Sequence, residues 1–468
     1  MARNYALRST LTKSCLGLLV ALSLYGNVSY AQSLAVFPGA VGFGIDTPAG
    51  RGGEVYKVTN LNASGPGSLE NCTSATGARV CVFEVSGVID LPSDLSIKNP
   101  FITIAGQTAP SPGIMLRGAG LVVNSTHDVL IQHISIRPGD DASGPAVKDR
   151  DGTKIVGSTH HVVFDHVSMY WSTDETASVW AFDEQTQISD VTFSNCIIAE
   201  GLNEPSVNPK HTGKGLIVGH APGSNQPTNV AIVRNLFAHN LERNPFTMSA
   251  FIANNLVYNW QYQAIDIRGN YQAFGTARAS VVGNVFEDGL DTTTSRKPIL
   301  LRELNNDSAI YVSDNDARWI TGENQWDDLV ASTGGTDLAS VRSDSRQVWP
   351  AGYTALSSDV VRPSVLANAG ARPADRDATD QRIISNVVHG IGRLKNCVGN
   401  CVGGDTQVPG GWPSLKKNTR QLTVPNNPNG DDNGNGYTNL EEWLHAYSLE
   451  VEGSGGLQPS PPAIRKNQ

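Results

Sequence analysis

Long helical patterns are missing from most of this chain. Between Val82 and Phe286 no amphipathic helical run of any length occurs, which argues against alternating βαβ layers. Basic charge is in deficit: 35 Lys and Arg stand against 44 Asp and Glu, a net of −9. That balance argues against nucleic acid as a partner, since nucleic acid calls for a basic footprint. A polyanionic substrate stays possible through a local basic groove or bound cations. The longest apolar run, Cys15–Leu24, is too short to span a bilayer, and no other segment is apolar enough. Aromatic residues make up only 7 %, so an aliphatic interior is expected. Cysteines number six and offer no compact set of four ligands, which argues against metal binding by the cysteines. No Gly-Lys-Ser/Thr follows the glycines of 39–53, so they read as turns and not as a phosphate loop. Asn-Gly hairpin signals between strands are also missing, which counts against a sandwich.

What is present is short and β-rich. Runs such as Phe101–Ala105, Val129–Ile136, His161–Phe164, Asp190–Phe193, Asn229–Val233 and Val281–Phe286 alternate with polar breaks. The 47 glycines supply the tight turns such a chain needs. Asn195, Asn235, Asn255 and Asn284 recur at the ends of these runs, and stacked coils would align their amides into a ladder. After Leu290 the character changes. Short helices are expected at 327–331 and 380–388, wrapping or capping the stack.

The first 31 residues read as a secretory signal. Arg3, Arg8 and Lys13 precede the apolar run, and Ser29-Tyr-Ala31 gives small residues at the cleavage point. The mature chain is expected in the periplasm or outside the cell. There, Cys72 with Cys81 and Cys397 with Cys401 can each close a short loop, while Cys196 reads as a buried thiol. Residues 32–400 read as the main domain, 401–450 as a C-terminal segment, and 451–468 as a disordered Gly/Ser/Pro tail.

One motif points to a metal directly. Asp431, Asn433 and Asn435 take the alternating ligand positions of a calcium loop. Gly436 gives the sharp turn, Tyr437 offers its carbonyl, and Glu442 stands where a bidentate carboxylate belongs. Only one such loop occurs, so its calcium reads as structural.

The other polar residues speak as a set. Singly, Asp165-His166 reads as a satisfied turn pair, Asp174-Glu175 as a solvated face, and Lys214 or Arg243 as a surface ion pair. In order along the chain they resemble polysaccharide lyase family 1, the pectate lyases. Phe37-Pro-Gly-Ala-x-Gly-Phe-Gly44, Gly50-Arg-Gly-Gly53 and Thr59–Leu69 look like the opening segment of a bacterial branch. Ile104–Pro110, Ile136–Asp140, Val163-Phe-Asp-His166, Trp171–Glu175, Ala238–Pro245 and Ala369–Arg382 follow in the family order.

The resemblance implies an all-β, right-handed parallel β-helix and calcium-dependent β-elimination of polygalacturonate, by a chain we expect to be monomeric. It assigns Asp151 and Asp174 to calcium, Lys214 to the family lysine and Arg243 to the catalytic arginine. A further family carboxylate falls on Ser178, so Glu175, Glu200 or Asp140 is expected to supply that charge. A second family arginine is absent from the span Phe246–Ser249, and Arg268 is read as its substitute. His211 and Arg268 are read as substrate-binding. Two competing readings are a β-helical hydrolase of uronide polymers and a polysaccharide-binding protein without catalysis. Strand alternation sends Asp174 and Glu175 to opposite faces, which counts against the hydrolase.

Overall fold

Short β-branched runs separated by turn residues can form only short strands, and parallel strands need something to stack on. In the computed structural model the chain satisfies both by coiling. The described residues are 34–141, 150–203, 213–270, 274–293, 296–320, 322, 324–399, 401 and 406–453. The expected signal (1–31) and residues 454–468 of the expected tail lie outside them, while Val451 and Glu452, which the sequence reading gave to the disordered tail, are the last turn of a helix, with Val451 buried. Successive strands go to three different sheets in turn, giving sheets of ten, nine and nine strands, and all neighbouring strands within them run parallel. This is a parallel β-helix.

The interior is built from register. Ile104, Ile131, Phe164, Phe193, Ile232 and Ile252 stand in line through the first sheet, and the line runs on through Val281 and Val312. All belong to one buried core, with Phe164 and Phe193 stacked at 5.1 Å between centroids. Each such side chain stabilises the stack by roughly 1.5–3 kcal/mol through burial.

Where the chain leaves this sheet, one residue per coil adopts a left-handed turn. His133, His166, Asn195, Arg234, Asn254 and Asp314 hold φ between 52° and 59° there. The next residue faces inward, and here the amide ladder forms: Asn235, Asn255, Asn284 and Asn315 are linked by bonds of 2.9–3.0 Å. Asn195 is not a rung, contrary to the sequence reading. It occupies the left-handed column and donates to Asp165 at 2.9 Å, while the buried thiol Cys196 takes the rung position and donates its N–H to Asn235 at 2.8 Å. Both expected disulfides are present.

The outer faces of two sheets are covered. Helix α1 (Ala378–His389) lies with Val361, Val365 and Leu366 against Tyr170, Ile197, Leu236 and Leu256 of the third sheet. Helix α2 (Asn439–Glu452) sets Leu440 and Leu444 against Val80, Val82 and Ala105 of the first. Leu422, Leu440 and Leu444 of the C-terminal segment thus pack on the coils. Among the described residues no helix packs over the central strands of the second sheet, and that face carries the polar residues.

Helix α2 ends in a buried ionic contact. Glu452 lies 3.4 Å from His133 Nε2 and 3.9 Å from His166 Nδ1, and His166 Nδ1 also donates to Asp165 at 2.8 Å. Burial opposes protonation of His166, and Arg376 adds to that. The charges of Asp165 and Glu452 outweigh both and raise it to about 9. A histidine whose pKa rises on folding contributes stability that is complete below its unfolded pKa of about 6.5 and is lost as pH climbs through the folded one. Thermal stability is expected to fall between pH 7 and about 9. In His166→Gln that slope should flatten; an unchanged slope in calorimetric melts would remove His166 from the account.

Candidate active site

Five successive strands of the second sheet position the site. The strands are β1 (Thr153–Val156), β2 (Glu175–Ala181), β3 (Lys214–His220), β4 (Phe246–Thr247) and β5 (Ile265–Arg268). Ladder bonds fix where each begins. Gly152 N–H donates to the Glu175 carbonyl at 3.1 Å, Lys214 N–H to that of Asp174 at 2.8 Å, and Leu216 N–H to that of Arg243 at 2.7 Å. Asp151, Asp174, Glu175, Lys214 and Arg243 therefore meet at one end of one sheet. A Cβ at Gly215 would lie 2.2 Å from the Arg243 carbonyl, so glycine permits this approach.

Asp151, Asp174 and Glu175 can offer oxygens all within 4.8 Å of one another. Strand alternation does not part the last two, because Asp174 lies in the bend before β2 where alternation has not begun. Arg243 is buried, in a left-handed conformation at φ 64°, and forms an ion pair with Glu175. Lys214 is the register neighbour of Glu175. Asp151, Asp174, Glu175, Ser178 and Arg243 line a groove of about 420 Å³. Lys214 stands beside that groove and is not one of its lining residues. Arg268 is one coil beyond β4, with its guanidinium 5.7 Å from the Phe246 ring, as is that of Arg243. His211 lies outside the described residues.

The other two acids considered for the position of Ser178 are engaged elsewhere. Burial opposes ionisation of Glu200, but Arg382 holds its carboxyl below the usual range through bonds of 2.6 and 2.7 Å. Asp140 accepts the N–H groups of Val398 (3.1 Å) and Gly399 (2.7 Å) and so anchors the C-terminal segment. Glu175 alone of the three reaches the groove. The groove also contains Lys154, Val156, Trp180, Phe182 and Ile217, which sequence reasoning missed. The signal was there in β2 and the residue after it, where Ser178, Trp180 and Phe182 alternate with the core residues Ala177, Val179 and Ala181.

Both acidic sites suit a hard cation. Calcium takes oxygen ligands, and three convergent carboxylates supply them. In the loop before α2, Asp431 accepts the N–H groups of Gly434 and Gly436, both at 2.8 Å. The amides of Asn433 and Asn435 both turn onto Glu442 Oε1, and Tyr437 N–H donates to Asn435 at 2.9 Å. Gly436 has φ 95°, which suits glycine. The side chains of the loop pattern thus converge.

A parallel β-helix with one sheet on which carboxylates meet an arginine and a lysine defines a class of polysaccharide-processing proteins. Comparison with known proteins narrows it. A probable pectate lyase C of Neosartorya fischeri is 33 % identical over 450 residues, covering 92 % of this chain and 97 % of that protein. One of Aspergillus flavus is 34 % identical over 380 residues, 80 % of each. The major allergen from cedar pollen shares the fold, with a TM-score of 0.50 and 17 % identity over 71 % of this chain and 92 % of that one. No family model matches the chain. The chain belongs to the pectate lyase family and is a polysaccharide lyase.

Proposed function

We infer that this protein cleaves polygalacturonate by calcium-dependent β-elimination and releases unsaturated oligogalacturonides. The observation that carries this reading is the cluster of Asp151, Asp174 and Glu175 against Arg243 on the second sheet. Elimination removes the weakly acidic proton next to a sugar carboxylate and expels the glycosidic oxygen, leaving a carbon–carbon double bond. Calcium bound by Asp151, Asp174 and Glu175 would neutralise that carboxylate and stabilise the enolate-like charge. Lys214 adds a second positive charge beside the same position. Arg243 takes the proton, with Lys214 the alternative base. A guanidinium stays protonated in ordinary surroundings, and its pairing with Glu175 reinforces this. Arg243 becomes a base only when Glu175 is engaged elsewhere and neighbouring cations disfavour its charge, which favours alkaline activity. Arg268 and His211 are assigned to substrate binding.

The same reading covers the rest of the chain. Residues 1–31 export the protein, and the two disulfides suit an oxidising compartment. No described helix is long and apolar enough to cross a membrane. The loop of Asp431, Asn433, Asn435, Tyr437 and Glu442 holds a structural calcium that braces α2, and the protein acts as a monomer. The motifs of 37–69 support a bacterial branch, while the relatives compared above are fungal.

Polygalacturonate incubated with the mature protein should gain unsaturated-uronide absorbance, and a chelator should abolish it. Reducing ends without unsaturation would instead indicate a hydrolase. Binding without cleavage would indicate a non-catalytic protein.

A further inference from the structure

The groove changes character along its strands, and the change follows the register. At the start of β2 stand Asp174 and Glu175. Next along the outer face comes the row Lys154, Ser178, Ile217 and Phe246, aligned by pairing across β1 to β4. Lys154 carries the only charge in that row. Two residues further along β2, Trp180 pairs with Gly219, Val156 lines the same groove and Met248 packs with Trp180, and none of these four carries a charge. Beyond them, Phe182 stands 66 % exposed at the groove wall.

This apolar end is built, not incidental. Trp180 packs with Ile217, Phe246 and Met248 in a cluster on the outside of the sheet. A Cβ at Gly219 would meet the Trp180 ring at 2.8 Å and the Met248 methyl at 3.2 Å, so the glycine lets the indole lie across β3. The result is an aromatic wall continuous with the acid-lined part of the same groove.

We propose that Trp180 and Phe182 form a subsite for a methyl-esterified uronate unit of the chain whose neighbouring unit sits at Asp151, Asp174 and Arg243. This rests on the function proposed above. A free carboxylate held against Val156, Trp180 and Phe182 loses water to apolar surface, which is costly, and among the described lining residues the cations Lys154 and Arg243 stand toward the acidic end. A methyl ester carries no charge and gains from burying its methyl group and the C–H face of its ring on the aromatics. The enzyme therefore acts best on partly esterified chains, with a free carboxylate at the cationic end and an ester at the aromatic end.

The test compares kcat/KM on unesterified polygalacturonate and on partly methyl-esterified pectin for the wild type, Phe182→Ala and Trp180→Ala. Phe182 is mostly exposed, so its removal leaves the coils intact. Each variant should lose about tenfold or more on the esterified substrate, the scale of a lost apolar contact, and less than about threefold on the free acid. Equal losses on both substrates, or no loss on either, would overturn the subsite. If the wild type makes unsaturated ends from neither polymer, the lyase reading fails separately. The subsite is then judged by calorimetric titration with esterified and free oligogalacturonides. It stands if the ester form binds tighter and the preference vanishes in Phe182→Ala, and falls otherwise.

Discussion

Arg243→Ala is expected to lower kcat/KM on polygalacturonate by about 10²–10⁴-fold, the range for losing a positioned proton-transfer group. The argument is geometric. Arg243 brings a guanidinium into the cluster of Asp151, Asp174 and Glu175 and is the one arginine among the described residues that line the groove. Its backbone is held there by the Leu216 N–H bond at 2.7 Å, so the loss is of the side chain and not of the coil. Without it, three carboxylates crowd within 4.8 Å with less compensating charge. The variant should then gain more thermal stability from added calcium than the wild type does, because a cation becomes the main source of neutralisation. Lys214→Ala should also abolish most turnover, with a smaller effect on calcium response, since Lys214 stands beside the groove. Unsaturated-uronide absorbance measures the first effect and melting with and without calcium the second. Near-normal turnover in Arg243→Ala would remove that residue from the chemistry.

Asp380→Ala is expected to destabilise the protein by about 3–5 kcal/mol, the cost of stranding one partner of a buried pair. Arg137 is fully buried, 3.1 Å from Asp380 and 2.6 Å from Asp377, with its guanidinium 5.0 Å from the Tyr170 ring. Asp380 also accepts from Ser168 (2.6 Å) and Tyr170 (2.8 Å). Removing it leaves two hydroxyls and part of a guanidinium without their acceptor, buried between α1 and the third sheet. Arg137→Met should recover part of the loss only where Asp377→Asn accompanies Asp380→Leu, because Asp377 is the guanidinium's second partner at 2.6 Å and would otherwise be stranded in its turn. Chemical denaturation measures both. A loss under 1 kcal/mol in Asp380→Ala would mean that water enters and satisfies the site.

The interior of the fold was readable residue by residue. Ile104, Ile131, Phe164 and Phe193 each sit in a short apolar run whose period is that of a strand, and burial in line is the only use such runs have. The amide ladder was readable in outline but shifted by one residue at its end. Asn195 and Cys196 are adjacent, and only the coil register says which of them faces inward. The site was readable as an order of residue types and not as a shape. Nothing local tells that Asp174 escapes strand alternation, that Glu200 is taken by Arg382, or that Asp140 holds the C-terminal segment.

By itself, then, the sequence determined the strand pattern, the turn chemistry, the disulfide pairs and the calcium-loop motif, because each depends on neighbours a few residues away. Tertiary structure decided which sheet carries the site, which carboxylates converge, and that Trp180 and Phe182 extend the charged groove with an aromatic wall. Those outcomes depend on stacking one coil on the next. A pairing shifted by one residue would turn every side chain in the strand to the other face.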